Sequence, residues 1–265
     1  TSFPLLAALD HETHARAISN CHRRSAFRSY SCRKKQQRKK PMNEKDFPLI
    51  FRKTGWFGNQ PESFQSQVIK SCFVKNFEEG DVVYNIGDAP GGIFCVFSGS
   101  LSVDLASPIV GPFLAGRVSV GLWIGEGPYL MRTPRVVSLI SREKSSVFCL
   151  PLHAMDRIEK LDHTAGRRFG QIAFIHLNSA LDVISVLLLP EARKRLAATL
   201  LRLRELTHSD VIHISQQELG NMSNASRNSV NAALGTFARN GWIKKGPRRI
   251  EIVNQEALLK FLQDT

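Results

Sequence analysis

Residues 214 to 243 read ISQQELGNMSNASRNSVNAALGTFARNGWI, and this stretch limits the fold more than any other. Ser215 stands three positions before Glu218, the spacing of a capping box, in which the hydroxyl accepts from a free backbone N–H and the carboxylate reaches back. A short helix over 216–222 follows, burying Leu219 and Met222, and Ser223, Asn224 and Ala225 supply a turn. Ser226 caps a second helix in which Val230, Ala233, Leu234 and Phe237 fall on one face. Gly241 after Asn240 suits a left-handed stop, and a strand begins at Trp242.

The other face of the second helix opens with Arg227, Asn228 and Asn231, all hydrogen-bond donors. Arg pairs with guanine and Asn with adenine through two bonds each in the major groove, while Ser226 and the helix N-terminus suit a phosphate. Ser215, Gln216 and Gln217, at the start of the first helix, complete the DNA-contacting set on that side. Beyond Gly241, a hairpin carries Lys244, Lys245, Arg248 and Arg249 around its tip, where cations lie along a phosphate backbone as a wing. A hairpin tip is polar in many folds. It is the order of cap, apolar face, donors and basic hairpin that favours base reading.

Ile214, Ser226, Arg227, Val230, Leu234, Gly241 and Ile243 together resemble the helix-turn-helix of the CRP/FNR family of bacterial transcription regulators. In the family's cyclic-AMP receptor protein the Ser–Arg pair is followed by Glu, with Arg four positions later; here those places hold Asn228 and Ala232. The resemblance implies phosphate and guanine contacts at Ser226 and Arg227, with a different preference at the remaining bases.

The chain in order supports that reading. Residues 1–41 carry ten basic and two acidic side chains, 42–190 balance at zero, and 191–265 carry twelve basic against seven acidic, within a total of +13. A neutral centre beside a basic C-terminal module suits a sensor joined to a polyanion binder. Residues 1–41 read as a basic extension that is disordered or not part of the natural product, with Met42 as the start; a DNA-attracting arm and a targeting peptide are the alternatives. Aromatic residues over 47–75 form a helical lead-in. From about Cys72, short strands separated by Gly and Asp turns predict a β-roll through residue 160. GluGlyAspValValTyr at 79–84, IleGlyAsp at 86–88 and PheSerGlySerLeuSerVal at 97–103 resemble the family's cyclic nucleotide-binding fold.

The fold class is therefore α+β: a β-roll sensor over 42–160, a long helix over 163–188, and a winged helix-turn-helix over 190–265. Apolar residues from Phe169 to Leu187 leave the long helix broader than one neighbour needs, and the resemblance implies pairing with its twin in a homodimer.

The resemblance also places a candidate effector pocket. Gly125 and Glu126 match the ribose-holding pair, and Arg135 is the candidate for the cyclic phosphate. Val136 stands where the family has Ser or Thr, and Gly127–Pro128 alter the intervening segment. No cofactor follows from these residues. Cyclic nucleotide, another small effector and no effector stay open, and an ion pair between Arg135 and Glu126 is the structural alternative.

Cys21, Cys32, Cys72, Cys95 and Cys149 show neither zinc spacing nor the clustered spacing of the family's iron–sulfur members, so no metal and no iron–sulfur cluster is expected. No contiguous apolar run approaches a membrane span, the best being Val183–Leu189, and a cytoplasmic location is expected. No nucleophile–base arrangement points to an enzyme, and His153, His163 and His176 read as surface or packing residues. The implied partners are double-stranded DNA, a second copy and RNA polymerase, with no membrane. Two other functions stay open: a cyclic-nucleotide signalling module whose output is a protein contact, and an RNA binder acting through residues 1–41.

Overall fold

The computed structural model describes residues 47–107, 111–207 and 209–264. The expectations for residues 1–41, with Cys21 and Cys32, lie outside these. Helix α1 (Gly55–Gly58) and α2 (Glu62–Ser71) form the lead-in. Phe64, Gln65, Val68 and Ile69 recur at helical spacing, so α2 buries one stripe. Trp56 anchors the segment by donating its indole N–H to the Arg168 carbonyl at 2.8 Å, and its ring lies 5.5 Å from that of Trp123.

Eight strands follow: β1 (Phe73–Phe77), β2 (Val82–Tyr84), β3 (Ile93–Ser98), β4 (Leu101–Ser107), β5 (Gly111–Val118), β6 (Trp123–Ile124), β7 (Ser138–Ser141) and β8 (Ser145–Leu150). They make two antiparallel sheets of order β1-β8-β3-β6 and β2-β7-β4-β5. Phe73, Phe94, Val96, Leu101, Leu139 and Val147 pack between them, as period-two alternation requires of a roll. Cys72, Cys95 and Cys149 are buried, and burial pushes Cys95 far above its usual pKa. Helix α3 (Glu126–Met131) interrupts the roll and α4 (Leu152–Leu161) closes it.

Helix α5 (Ala165–Leu187) buries Ala165, Phe169 and Ile172 against the aromatic core of the roll. Beyond Ile172 its outward face carries Phe174, Leu177, Leu181, Ile184 and Leu188, each at least half exposed. Those positions step by three and four residues, the spacing of a coiled-coil seam. The expectation about membrane spans needs correction here. Contiguous runs are short, yet α5 as a whole is long and apolar enough, by length and composition, to cross a membrane. Its exposed apolar residues extend beyond the seam to Ile175 and Leu187.

Helix α6 (Ala192–Thr207) leads into the C-terminal unit: β9 (Val211–Ile212), α7 (Gln216–Met222), α8 (Arg227–Arg239), β10 (Ile243–Gly246), β11 (Arg249–Ile252) and α9 (Gln255–Gln263). The small sheet has order β10-β11-β9. Leu196, Leu200, Leu219, Val230, Leu234, Phe237 and Ile250 are buried together in its core. Leu114 of β5 packs against that core, so the roll touches the C-terminal unit directly.

Candidate nucleic-acid interface and sensor cavity

The start of α7 is a complete capping box. Ser215 Oγ accepts from Glu218 N at 3.2 Å, and Glu218 Oε2 accepts from Ser215 N at 2.9 Å. Gly220 sets the approach of the next helix: a Cβ there would lie 2.9 Å from the Ala225 carbonyl oxygen and 3.2 Å from Val230, so only glycine admits a turn this tight. Ala225 N donates to Gly220 O at 2.9 Å, and Asn224 takes a positive φ of 45°. Ser226 then caps α8, accepting from Ser229 N at 3.2 Å.

The turn is held from outside by α6. Arg195 donates to the carbonyls of Ser223 and Asn224 in the turn, and also to those of Leu189 and Pro190 at the junction after α5. Ser223 Oγ donates to Thr199 Oγ1 at 2.9 Å in a buried contact. One guanidinium thus joins the end of the long helix to the helix-turn-helix.

On the outer face of α8, Arg227, Asn228 and Asn231 are exposed, and no described residue bonds to their side chains. Buried Val230, Ala233, Leu234 and Phe237 fix the helix from behind. Gln216 is exposed beside Gln217, whose amide donates to Asn221 Oδ1 at 2.9 Å. In the hairpin, Glu251 lies 3.8 Å from Lys244 Nζ and 3.2 Å from an Arg249 Nη, which partly neutralises both cations. Lys245 and Arg248 are exposed with no acidic partner among the described residues, and Arg248 (φ 49°) sits at the tip.

A cavity of about 650 Å³ lies between the roll, α5 and the C-terminal unit. Gly125, Glu126 and Arg135 all line it, with side-chain partners that the sequence did not indicate. Gly125 has φ 108°, and a Cβ there would fall 2.8 Å from Arg135 Nη1. Arg135 does not pair with Glu126. Its guanidinium donates to Gly125 O at 3.0 Å and Gly92 O at 2.7 Å, and lies 4.2 Å from the Tyr84 ring centroid. Burial lowers its pKa, with nearby Tyr84 acting the other way. Glu126 instead accepts from Gly125 N at 3.0 Å, and its Oε1 lies 2.9 Å from Nδ1 of His176 on α5. His176 is therefore a site residue. Its signal in the sequence was no more than a polar residue on the roll-facing stripe of an apolar helix.

A contact between the two units stands at the rim of this cavity. Arg117 of β5 donates to His213 O at 2.8 Å and to Glu218 Oε1 at 2.8 Å. Burial pushes the Glu218 carboxyl up, but the Ser215 N–H and hydroxyl and the Arg117 guanidinium outweigh it and hold the pKa at about 2.

Comparison with known proteins gives this geometry a context. The family model of the cyclic nucleotide-binding domain matches residues 74–161, and that of the Crp-like helix-turn-helix domain matches 194–261. Together they span more than half of the sequence. The chain belongs to the CRP/FNR family of transcription regulators. Among curated proteins, the transcriptional regulatory protein btr of Bordetella pertussis is 24% identical over 197 residues, covering 70% of this chain and 79% of btr. Among solved structures, FixK2 of Bradyrhizobium japonicum aligns at TM-score 0.62 and 17% identity, covering 71% of this chain and 96% of FixK2. TTHB099, a CRP-family regulator of Thermus thermophilus, aligns at 0.60 and 21%, covering 72% and 97%.

As a CRP/FNR regulator the chain carries a DNA-binding helix-turn-helix. Its roll, however, does not fit a cyclic nucleotide. Both Nη atoms of Arg135 bond to backbone carbonyls, the Glu126 carboxylate is taken by Gly125 N and His176, and Val136 offers no hydroxyl. A cyclic phosphate would meet a buried guanidinium that already gives two of its five N–H donors to backbone carbonyls, with no hydroxyl beside it to share the charge.

Proposed function

We propose that the chain acts as a homodimer that binds a palindromic operator and controls transcription according to the state of its roll. The observation that carries this is the row of exposed, unpaired donors at the N-terminus of α8, on a helix fixed from behind by four buried apolar side chains. In this reading Arg227, Asn228 and Asn231 read base edges. Ser226, Ser215 and Gln216 face phosphates, with Gln217 oriented by Asn221. Lys245 and Arg248 follow the backbone of the flanking groove, and Lys244 and Arg249 contribute less because Glu251 shares their charge.

The outward seam of α5 supplies the dimer. Leu181 and its neighbours leave an apolar strip that a second copy covers in register, which places two recognition helices about one DNA turn apart. The roll acts on that spacing through α5 and through Arg117. Output passes to RNA polymerase in the cytoplasm, and the chain does no chemistry of its own.

The test is selection of duplex DNA from a random pool by residues 42–265, followed by sedimentation of the protein–DNA complex. Enrichment of a two-fold symmetric site bound by two copies is the expected result. Enrichment of an asymmetric site by a single copy would refute the dimer. No enrichment would shift the output to a protein contact.

A further inference from the structure

We infer that the cavity between the roll and the helix-turn-helix binds an amphipathic monoanion, an apolar body bearing one sulfonate-like or carboxylate head. This rests on the reading of the roll as a sensor, and it replaces cyclic nucleotide as the occupant. Three observations lead to it. The volume, about 650 Å³, lies within the range of pockets that enclose small organic ligands. The walls are mostly apolar: Val103, Ile124 and Val137 from the roll, Val183 from α5, and Leu206 and Ile214 from the C-terminal unit. Among the polar residues that line it, which also include Glu126, Glu143, His176 and several hydroxyls, Arg202 is a cation without a bonded acceptor among the described residues.

The guanidiniums decide the sign of the head. Arg202 of α6 borders the cavity and makes no hydrogen bond or ion pair with any described residue. Arg117 also borders it, and although its Nη atoms are bonded, its Nε is buried with no partner. Burial lowers the Arg202 pKa, with the Asp182 charge opposing, which is the cost of holding a cation against an apolar wall. An acidic head offers Arg202 the acceptor it lacks, and charge-assisted bonds of this kind are the strong ones. At the far end Arg135 already donates to the Gly92 and Gly125 carbonyls and feels the charge of the Glu126 carboxylate, which repels a second anion. The apolar body therefore extends from the α6 side toward the roll. A ligand there touches β5, α5 and α6 together, so it binds only one arrangement of sensor and reader well.

A matched pair of fluorescent probes tests this on the full 265-residue chain: 8-anilinonaphthalene-1-sulfonate, and N-phenyl-1-naphthylamine, which has the same body without the sulfonate. Saturable binding of both is expected. Arg202→Gln should weaken the sulfonate probe about tenfold and leave the neutral one unchanged. Val183→Trp should weaken both by filling the cavity, and decanoate but not cyclic AMP should displace the sulfonate. Circular dichroism melts check that each variant folds, with Arg202→Met and Leu206→Trp as substitutes if one does not. The inference is overturned if Arg202 variants bind the sulfonate as the wild type does. It is overturned equally if both cavity-filling variants leave both probes unaffected, which would put the probes on the exposed face of α5, or if cyclic AMP displaces them. Operator binding, measured separately on the selected duplex, tells a failed ligand from a failed regulator: probe binding without DNA binding refutes the function, and DNA binding without probe binding refutes only the ligand.

Discussion

Replacing Glu218 by Gln isolates the ionic part of the sensor–reader contact while preserving its shape. The carboxyl titrates at about 2 against 4.5 for an unperturbed group, and its side chain is only 15% exposed. At about 1.4 kcal/mol per unit, that shift corresponds to roughly 3 kcal/mol of stabilisation at neutral pH. Gln keeps a neutral acceptor for the Ser215 N–H, which recovers about 1 kcal/mol. A loss of about 2 kcal/mol in the α7–α8 unit follows, or roughly thirty-fold faster amide exchange.

The sign against pH is set by the lowered pKa. The folded-state advantage is complete above about pH 4.5 and disappears as pH falls toward about 2. The gap between wild type and Glu218→Gln should therefore be flat from pH 8 to 5 and less than half as large by about pH 3. Hydrogen exchange of the amides of α7 and α8, corrected for intrinsic rates at each pH, measures it. Arg117→Met completes a double-mutant cycle, with about 1 to 2 kcal/mol of coupling expected. Exchange rates within twofold of wild type, or a gap that persists undiminished at pH 3, would show that the contact contributes nothing. A zero coupling would assign the whole effect to the capping box.

Other outcomes follow from the same geometry. Arg227→Ala should cost about 1 to 3 kcal/mol on the selected operator and relax one base position, measured by anisotropy on single-base variants; an equal loss on all of them would reject base reading. Lys245→Ala should weaken every sequence alike and flatten the salt slope by about one unit, whereas Lys244→Ala should do less because Glu251 already shares its charge. Leu181→Asp should convert the dimer to monomer in sedimentation without unfolding the roll, since that side chain is 50% exposed. Gly220→Val should unfold the helix-turn-helix, because its branched side chain meets the Ala225 carbonyl; a stable variant that binds the operator would refute the close-approach argument.

What was legible in the sequence was local. The capping box at Ser215, the α7 span, the Ser226 cap and the buried face of α8 each depend on residues within a few positions of one another, and each lies where spacing put it. Glycine and aspartate punctuation likewise marked the roll. The contacts that join the parts were not legible. Glu126 meets His176 fifty positions away, Arg117 meets Glu218 a hundred and one away, and Arg195 reaches the turn from twenty-eight and twenty-nine away. No periodicity encodes such distances. A histidine on an apolar helix and an arginine on a strand look like ordinary solvated positions until the fold brings their partners to them. The membrane-span expectation failed for a different reason, since counting uninterrupted apolar residues ignores that a 23-residue helix with few charges is apolar on average even where single polar residues break the run.

Arg195 bears on how this molecule can move. Because it grips Leu189 and Pro190 as well as Ser223 and Asn224, the stretch after the long helix is not a loose tether. The proline junction travels with the reader as one rigid piece, and any swivel is pushed back toward Leu188. A chimera that exchanges readers between regulators depends on Arg195 more than on where it is cut, since any residues at 189 and 190 supply the two backbone carbonyls. A transplanted reader with no arginine at that place would keep a sound recognition helix and lose the side chain that ties it to the end of the sensor's long helix.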